Sequence, residues 1–374
     1  MTTTGRTCYW RNVPPGRDPG FVSDKQYSNM RDVKRRNRRD PRPTAVAKRG
    51  PMSVKDLAQL KTNLAKTTPS SLLLHHIEAC LEEREGLEDE SEVNSEIIED
   101  TAVKCSRLMW ELNRKCVGKD APFEVPSTHG QSDNPNWKKE RSIICTAYDN
   151  KQFLGLSTGE SKKKYLRKKI WGLDNYVSKA MQEGKETEAQ DRELYAKYVS
   201  RIDSNFSIEE TGLWKNPKYP QLGCSPDGFV KHPFYPEPIL LEIKRLTKGH
   251  VNPAKFEEQM THDEKKSFYL YRDSNGTLQI KKAHLYYHQI QMSLNVVELE
   301  WAHIFVFSES GSAVVAVRYD STFWTERRTR LIKRHRELLL PEAVLKRTLR
   351  HREPVEIMYP NFHEDGTDDF FLNE

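Results

Sequence analysis

The sequence predicts a mixed α/β (α+β) fold, with a small mixed sheet flanked by helices and a helical N-terminal extension. From about residue 133, helical periodicity alternates with short apolar runs. The run ILLEIK at residues 239–244 begins apolar on both faces, which is typical of a strand inside a sheet. The runs AHIFVF at 302–307 and SAVVAVRY at 312–319 are joined by a Ser-Glu-Ser-Gly turn and predict a hairpin that closes the sheet.

The spacing of apolar residues predicts helices over 134–142, 161–171, 175–200, 284–297 and from about Thr322 to Leu340. Further helices are predicted after a Ser53 cap, from Pro69 to Leu81, and from Val103 to Cys116. We divide the chain into a disordered basic tail (1–50), a helical region with an acidic linker (51–125), a main domain (126–345) and a C-terminal tail (346–374).

Composition excludes several classes of protein. Of the 374 residues, 36% are hydrophobic and 30% are charged, and the net charge is +6. The six cysteines form no CxxC pair, so the sequence predicts reduced intracellular thiols and neither a zinc finger nor a disulfide framework. No apolar run is long enough to span a membrane, and the N-terminus lacks the apolar segment of a signal peptide. KRRNRR at 34–39 is typical of a nuclear-import signal or of a solvated basic tail, and predicts a nuclear location in a eukaryote.

The predicted strand over ILLEIK carries two opposite charges. Glu242 and Lys244 lie two positions apart and share one face of a strand, while Ile243 takes the other. A solvated edge strand next to an ordinary turn at residues 226–228 would explain them simply. In a buried strand they need a chemical reason, and an ammonium beside a metal ion can orient a water or offset charge on a phosphate.

The helix predicted over 175–200 carries Glu188 on an otherwise apolar stripe. A carboxylate on an apolar face needs a partner. One alternative is an ion pair with Arg192, one turn further on. The other is a divalent cation shared with Asp227 and Glu242, because converging carboxylates repel one another unless a cation neutralises them. Oxygen ligands of this kind select Mg²⁺ or Mn²⁺.

Four separated segments resemble, in order, the motifs of the YqaJ-like viral recombinase family. This family includes the lambda-type exonucleases and belongs to the PD-(D/E)xK nuclease superfamily. The segments are Trp137, Arg141 and Thr146-Ala147; Gly184 with Glu188; NPKYP at 216–220, GCSPDG at 223–228 and LEIK at 241–244; and YYHQIQM at 286–292. The similarity extends over about residues 130–342. Two positions depart from the family pattern, since Tyr148 replaces a serine and Arg245-Leu246 replaces Cys-Pro.

The resemblance implies a restriction-endonuclease-like core and a set of functional residues. The implied catalytic residues are Asp227, Glu242, Lys244, Glu188 and Gln289; the implied metal-binding residues are Glu188, Asp227, Glu242 and Ile243; and the implied DNA or phosphate contacts are Arg141, Thr146 and Gln291. Judged from the residues alone, Gln289 and Gln291 could instead be core amides bonded to backbone. The resemblance places at least Gln289 near the active centre.

The activity that the resemblance implies is Mg²⁺-dependent hydrolysis of DNA phosphodiester bonds, as a 5′→3′ exonuclease on duplex ends. The basic segments at 161–172 and 326–336 fit a nucleic-acid substrate, although solvated helix faces are the alternative. An endonuclease of the same superfamily and a non-catalytic DNA-binding protein derived from a mobile element remain open. A single-strand annealing protein and a homo-oligomer are further expected partners, whereas a membrane is not.

Overall fold

The computed structural model describes residues 54–67, 74, 77, 95–173, 179–234, 236–246 and 249–359; the side chains of 54–57, 67, 95–96, 179–186 and 188 lie outside this description. The predicted basic tail, its KRRNRR segment, the Ser53 cap and the acidic linker also lie outside it, as does most of the helix predicted from Pro69. The chain divides into two units, residues 1–60 and residues 61–374.

The helices of the described residues are α1 (Val54–Thr67), α2 (Ser95–Arg114), α3 (Pro135–Ser142), α4 (Asn150–Leu154), α5 (Gly159–Lys169), α6 (Lys179–Val199), α7 (Phe256–Gln259), α8 (His262–Ser267), α9 (Leu285–Val297), α10 (Ser321–Arg334) and α11 (Leu340–Leu345). The strands are β1 (Phe123–Glu124), β2 (Cys145–Thr146), β3 (Ser207–Glu209), β4 (Trp214–Lys215), β5 (Leu222–Cys224), β6 (Gly228–Lys231), β7 (Ile239–Arg245), β8 (Leu270–Arg272), β9 (Leu278–Ile280), β10 (Trp301–Ser308) and β11 (Gly311–Arg318). A 3₁₀ turn spans Gln131–Asp133, and a π turn at His335–Leu339 joins α10 to α11.

The strand that carries Glu242 and Lys244 lies at the centre of the largest sheet. This five-stranded sheet has the order β11-β10-β7-β6-β3, with β7 parallel to β10 and antiparallel to β6. Two smaller sheets have the orders β1-β4-β5-β2 and β8-β9. The predicted mixed α/β fold with a small mixed sheet is therefore confirmed. The alternative of a solvated edge strand is wrong, because β7 is hydrogen-bonded on both sides.

The two faces of β7 are covered by different helices. Leu241 and Ile243 pack with Tyr195 of α6 on one face. Leu240 belongs to the larger core on the other face, which also contains Ile290 of α9. The apolar side chains therefore alternate along β7 as strand geometry requires. Glu242 and Lys244 fall on the face covered by α9.

The segment after α10 continues further than the sequence predicts. The helix predicted to end near Leu340 runs on through the π turn to Leu345. The chain then crosses α5, and Leu349 and Ile357 are buried. The part of the predicted C-terminal tail that the structure describes is thus packed against the domain.

The described part of the chain has neither a membrane-spanning helix nor a disulfide. None of its helices has the length and apolar character needed to cross a membrane. Its cysteines, Cys105, Cys116, Cys145 and Cys224, are buried and free of disulfides.

We expect the buried His335 to make the free energy of unfolding depend on pH. His335 is 1% exposed and hydrogen-bonds through Nε2 to the Ile143 carbonyl at 2.8 Å. Burial lowers the pKa of His335 to about 4. The unfolded chain therefore binds more protons than the folded chain between about pH 6.5 and 4, so the free energy of unfolding falls as the pH falls through this window. One such group contributes a slope of at most about 1.4 kcal/mol per pH unit.

We expect His335→Gln, which keeps a donor for the Ile143 carbonyl, to flatten this dependence. Urea unfolding at several values between about pH 7 and 4.5 measures the slope independently of any overall loss of stability. Equal slopes in the wild type and the variant would contradict the prediction.

Candidate active site

Two buried charges and an amide meet on the α9 side of β7. Lys244 donates a hydrogen bond from Nζ to Glu242 Oε2 at 2.7 Å, and Gln289 donates from Nε2 to the same oxygen at 2.9 Å. The Glu242 side chain is 2% exposed and that of Lys244 is 16% exposed. Glu242 and Lys244 thus share one face of the strand as predicted, and Gln289 reaches them from the neighbouring helix.

Asp227 joins this group from the turn that begins β6. Its backbone N–H donates to the Leu241 carbonyl at 3.1 Å, and its Oδ2 accepts from the backbone N–H of Ile243 at 2.6 Å. These two bonds fix the carboxylate of Asp227 beside the middle of β7. Its negative charge contributes to the raised pKa of Glu242, so the two carboxylates are electrostatic neighbours.

Burial sets the protonation of the pair formed by Glu242 and Lys244. Burial raises the pKa of Glu242 to about 7, although Lys244 and Gln289 counteract it. Burial alone would lower the pKa of Lys244, but the carboxylates of Glu242 and Asp227 outweigh that effect and raise it. The Lys244 side chain therefore remains an ammonium at neutral pH.

One carboxylate oxygen of this group is available as a ligand for a divalent cation. Glu242 Oε1 is buried and has no hydrogen-bond partner among the described residues. Mg²⁺ commonly binds one or two carboxylates and keeps several waters, a requirement that Asp227 and Glu242 fit. The described side chains include no cluster of three or more His, Cys, Asp or Glu residues that could hold a metal. Glu188 lies in α6, but its side chain is outside the described residues, so its role and that of Ile243 stay predictions.

A second group of buried charges, here called the cation cluster, consists of Arg141, Thr146, Asp149 and Lys169. Lys169 donates from Nζ to Asp149 Oδ2 at 2.9 Å and to Thr146 Oγ1 at 3.2 Å. Arg141 lies 3.5 Å from Thr146 Oγ1, which itself donates to Asp149 Oδ1 at 2.8 Å. The predicted phosphate contacts Arg141 and Thr146 therefore lie together, with a lysine and an aspartate beside them.

The cation cluster carries an excess of positive charge. Burial lowers the pKa of Arg141 to about 10, which still leaves the guanidinium charged at neutral pH. Burial also lowers the pKa of Lys169, but Asp149 opposes this change. Lys169, in turn, overcomes the burial of Asp149 and lowers the pKa of that carboxyl. Two cations thus face one carboxylate, an arrangement that favours binding of a further anion.

A tryptophan connects the cation cluster to the carboxylates. The guanidinium of Arg141 stacks 3.7 Å from the ring centre of Trp137, and Trp137 Nε1 donates to Ser225 Oγ at 2.8 Å. Ser225 precedes Asp227 by two residues, which span at most about 7 Å of chain. The two charged groups therefore lie in adjacent parts of one site.

Tyr148 and Gln291 lie in different environments. Tyr148, which replaces the family's serine, is 57% exposed, so its ring does not fill the buried cluster. Gln291 is 0% exposed, donates to the Arg318 carbonyl at 2.9 Å and accepts from the backbone N–H of Asp320 at 2.7 Å. Both polar atoms of the Gln291 amide are thus hydrogen-bonded to backbone groups, as expected of a core amide, and Gln291 is not among the DNA contacts that we propose.

Sequence reasoning missed Lys169 and Asp149. Lys169 follows the buried Tyr165 by four positions, so it lies on the same face of α5. That spacing is the signal that could have separated it from the other lysines of the basic run. Asp149 lies between two short elements, where no periodicity marks it.

The basic segment at 161–172 is less available to DNA than its charge suggests. Lys162 binds Glu356 at 3.1 Å, Lys163 binds Glu353 at 3.0 Å, and Arg167 donates to the Thr348 carbonyl at 2.8 Å. The chain after α11 therefore occupies much of this helix. Lys164 and Lys168, one turn apart, are its exposed lysines.

In the second basic segment, arginines stack on aromatic rings. Arg327 lies 3.7 Å from the ring centre of Phe323, and Arg328 lies 4.5 Å from that of Tyr219. These stacks hold the guanidinium groups in place along α10.

Comparison with known proteins identifies the domain that contains the site. Residues 136–300 match the family model described as the YqaJ-like viral recombinase domain. This segment is similar to a YqaJ-like domain. It includes Arg141, Asp227, Glu242, Lys244 and Gln289, so the resemblance found in the sequence is confirmed. A search among curated proteins finds no match.

Two crystal structures resemble this chain. One is LHK-Exo in complex with dAMP, with 19% sequence identity, 58% of this chain and 94% of that chain covered, and a TM-score of 0.38. The other is an alkaline exonuclease (LHK-Exo) from Laribacter hongkongensis, with 18% identity, the same coverage and a TM-score of 0.37.

Proposed function

We propose that the protein is a metal-dependent DNA nuclease, and specifically a Mg²⁺-dependent 5′→3′ exonuclease that acts on duplex ends. The observation that carries this proposal is that Lys244 and Gln289 both donate to Glu242 Oε2, next to Asp227, while the buried Oε1 of Glu242 lacks a hydrogen-bond partner. The family match supports a nuclease. The exonuclease direction rests on the cation cluster.

Asp227 and Glu242 would hold the cation, with Glu188 as a further ligand if its side chain reaches them. Bound Mg²⁺ would polarise the phosphoryl oxygen and lower the pKa of a coordinated water, and Mn²⁺ suits the same oxygen ligands. Gln289 orients Glu242 by donating to Oε2, and Oε1 would then be the oxygen that binds a cation. This arrangement explains why a carboxylate is retained in a buried position.

Lys244 acts through its positive charge. The carboxylates of Glu242 and Asp227 raise the pKa of Lys244, which favours the charged ammonium form of this side chain. Its charge can stabilise the negative charge that develops on the phosphate during hydrolysis. The hydrogen bond to Glu242 holds Nζ in place for this task.

The cation cluster provides a place for a terminal phosphate. A guanidinium can bind two phosphate oxygens at once, and a terminal monoester offers more free oxygens than an internal diester. Arg141 and Lys169 exceed the charge of Asp149 by one, and Trp137 connects Arg141 to Ser225, two residues before Asp227. A 5′-phosphate bound there would place a neighbouring phosphodiester near the carboxylates.

Two alternatives stay testable. An endonuclease would use the same carboxylates without requiring an end, and a DNA-binding protein derived from a mobile element would bind without cleavage. The expected annealing protein and homo-oligomer remain predictions.

The decisive experiment compares end-labelled linear duplexes with covalently closed circles, each with and without Mg²⁺. We expect Mg²⁺-dependent release of nucleotides from 5′ ends of linear DNA and no attack on closed circles. Equal cleavage of circles would replace the exonuclease with an endonuclease, and binding without any cleavage would favour the non-catalytic alternative.

A further inference from the structure

A cavity of about 370 Å³ lies beside the first turn of α9, at Tyr287. It is bounded by the β8–β9 hairpin, the edge strand β11 and the residues that precede α9 and α10. Its lining includes Tyr271, Tyr287, Tyr319, Lys282, Arg318 and Asp320. We propose that this cavity binds an unpaired nucleotide of the DNA substrate, an inference that rests on the proposed function.

One wall of the cavity is a fixed polar network. Tyr287 donates from its hydroxyl to Asp320 Oδ2 at 3.1 Å, and Lys282 donates to the same oxygen at 2.7 Å. Asp320 also caps α10 by accepting from the backbone N–H of Phe323 at 3.0 Å. The aromatic ring and the carboxylate are therefore positioned before any ligand arrives.

The opposite wall offers a stacking surface and backbone groups. Tyr271 is 39% exposed, so part of its ring is available to a base. The Tyr319 N–H donates to the Glu300 carbonyl across the β10–β11 pair. Hydrogen-bonded and non-hydrogen-bonded pairs alternate along an antiparallel ladder. Since Tyr319 is bonded to Glu300, Ala316 falls in a non-bonded pair with His303, and its backbone N–H and C=O point away from β10. An exposed strand edge of this kind can donate to and accept from the polar edge of a base.

Cations stand at the rim. The side chains of Lys282 and Arg318 line the cavity and are 65% and 67% exposed, although Lys282 is paired with Asp320 and Arg318 with Glu300. The ring of Tyr271 and the outward-facing N–H and C=O of Ala316 suit a base, and the two cations suit a phosphate. The volume lies within the range of small-molecule sites.

The position relative to the carboxylates favours substrate over an unrelated nucleotide. The ring of Tyr286 lies 5.3 Å from Lys244 Nζ, and the next residue, Tyr287, lines the cavity. Consecutive residues of one helical turn therefore contact Lys244 and line the cavity.

The test uses the full chain in metal-free buffer containing a chelator, so that binding is measured without cleavage. Fluorescence anisotropy would compare a short single-stranded oligonucleotide with a blunt duplex. We expect Tyr271→Ala to weaken single-strand binding about tenfold or more, Tyr271→Phe to retain it, and blunt-duplex binding to change little. Phe234→Ala is the matched control, because Phe234 is an exposed aromatic residue at another place on the domain.

A second measurement does not depend on any variant. An oligonucleotide carrying 5-iododeoxyuridine should form photocrosslinks to Tyr271 or Tyr319 in the wild-type protein. Crosslinks that map elsewhere, or single-strand affinities that are equal in Tyr271→Ala and the wild type, would overturn the proposal. Neither measurement requires hydrolysis, so failure of the nuclease assay and failure of the nucleotide cavity are distinguishable.

Discussion

Replacing Lys244 is expected to abolish DNA cleavage, lowering kcat by about a thousandfold or more, while duplex affinity changes by no more than about threefold. The reason is that Lys244 is buried against Glu242 and serves the reacting phosphate, whereas most affinity for DNA comes from contacts with other phosphates. Lys244→Gln is the sharper variant, because an amide can still donate to Glu242 Oε2 and so limits the cost of an unpaired buried carboxylate.

Single-turnover cleavage rates and dissociation constants on the same linear duplex separate the two effects. Lys168→Ala serves as a control, because it removes a lysine that is exposed on α5. A variant of Lys244 that loses binding and cleavage to the same extent would make this residue a general phosphate anchor.

Replacing Arg141 or Lys169 by alanine is expected to erase the preference for 5′-phosphorylated over 5′-hydroxyl ends. Each variant removes one of the two cations that face Asp149, and charge-assisted hydrogen bonds of this kind correspond to about a 10- to 100-fold change in rate. Arg141→Lys should also lose much of the preference, because a lysine cannot bind two oxygens in a fork.

The measurement is the degradation rate of linear duplexes that differ only at the 5′ terminus. Lys168→Ala again provides the comparison, since Lys168 is the exposed neighbour of Lys169 in α5. If the wild-type protein degrades both ends at the same rate, the cation cluster is a structural ion-pair network and Arg141 only stabilises the fold.

Much of the site was predictable because its residues carry local signals. Glu242 and Lys244 stand out in an apolar strand, and strand periodicity alone assigns them to one face. Gln289 was assigned through the family resemblance, and its contact with Glu242 depends on how α9 crosses the sheet. The periodicity of α9 predicts a helix but not the position at which it crosses the sheet.

The cation cluster and the fate of the basic helix were harder to predict. Lys169 is one of several cations in a dense run, and only the buried face of α5 distinguishes it. The partners Glu353 and Glu356 lie about 190 residues further along the chain, in a segment that looks like a polar tail. Contacts over such separations are set by tertiary packing, on which local patterns carry no information.

The central position of β7 also determines when the site can form as the chain is synthesised. Its parallel neighbour β10 begins at residue 301, after an intervening stretch that includes α9. Domains generally fold as their chain emerges, and strand pairs distant in sequence form late. Until β10 has been made, β7 lacks one neighbour and Glu242 remains open to water. An incomplete nascent chain therefore cannot bury Glu242 between β6 and β10, so the proposed nuclease activity requires that nearly the whole domain has been translated.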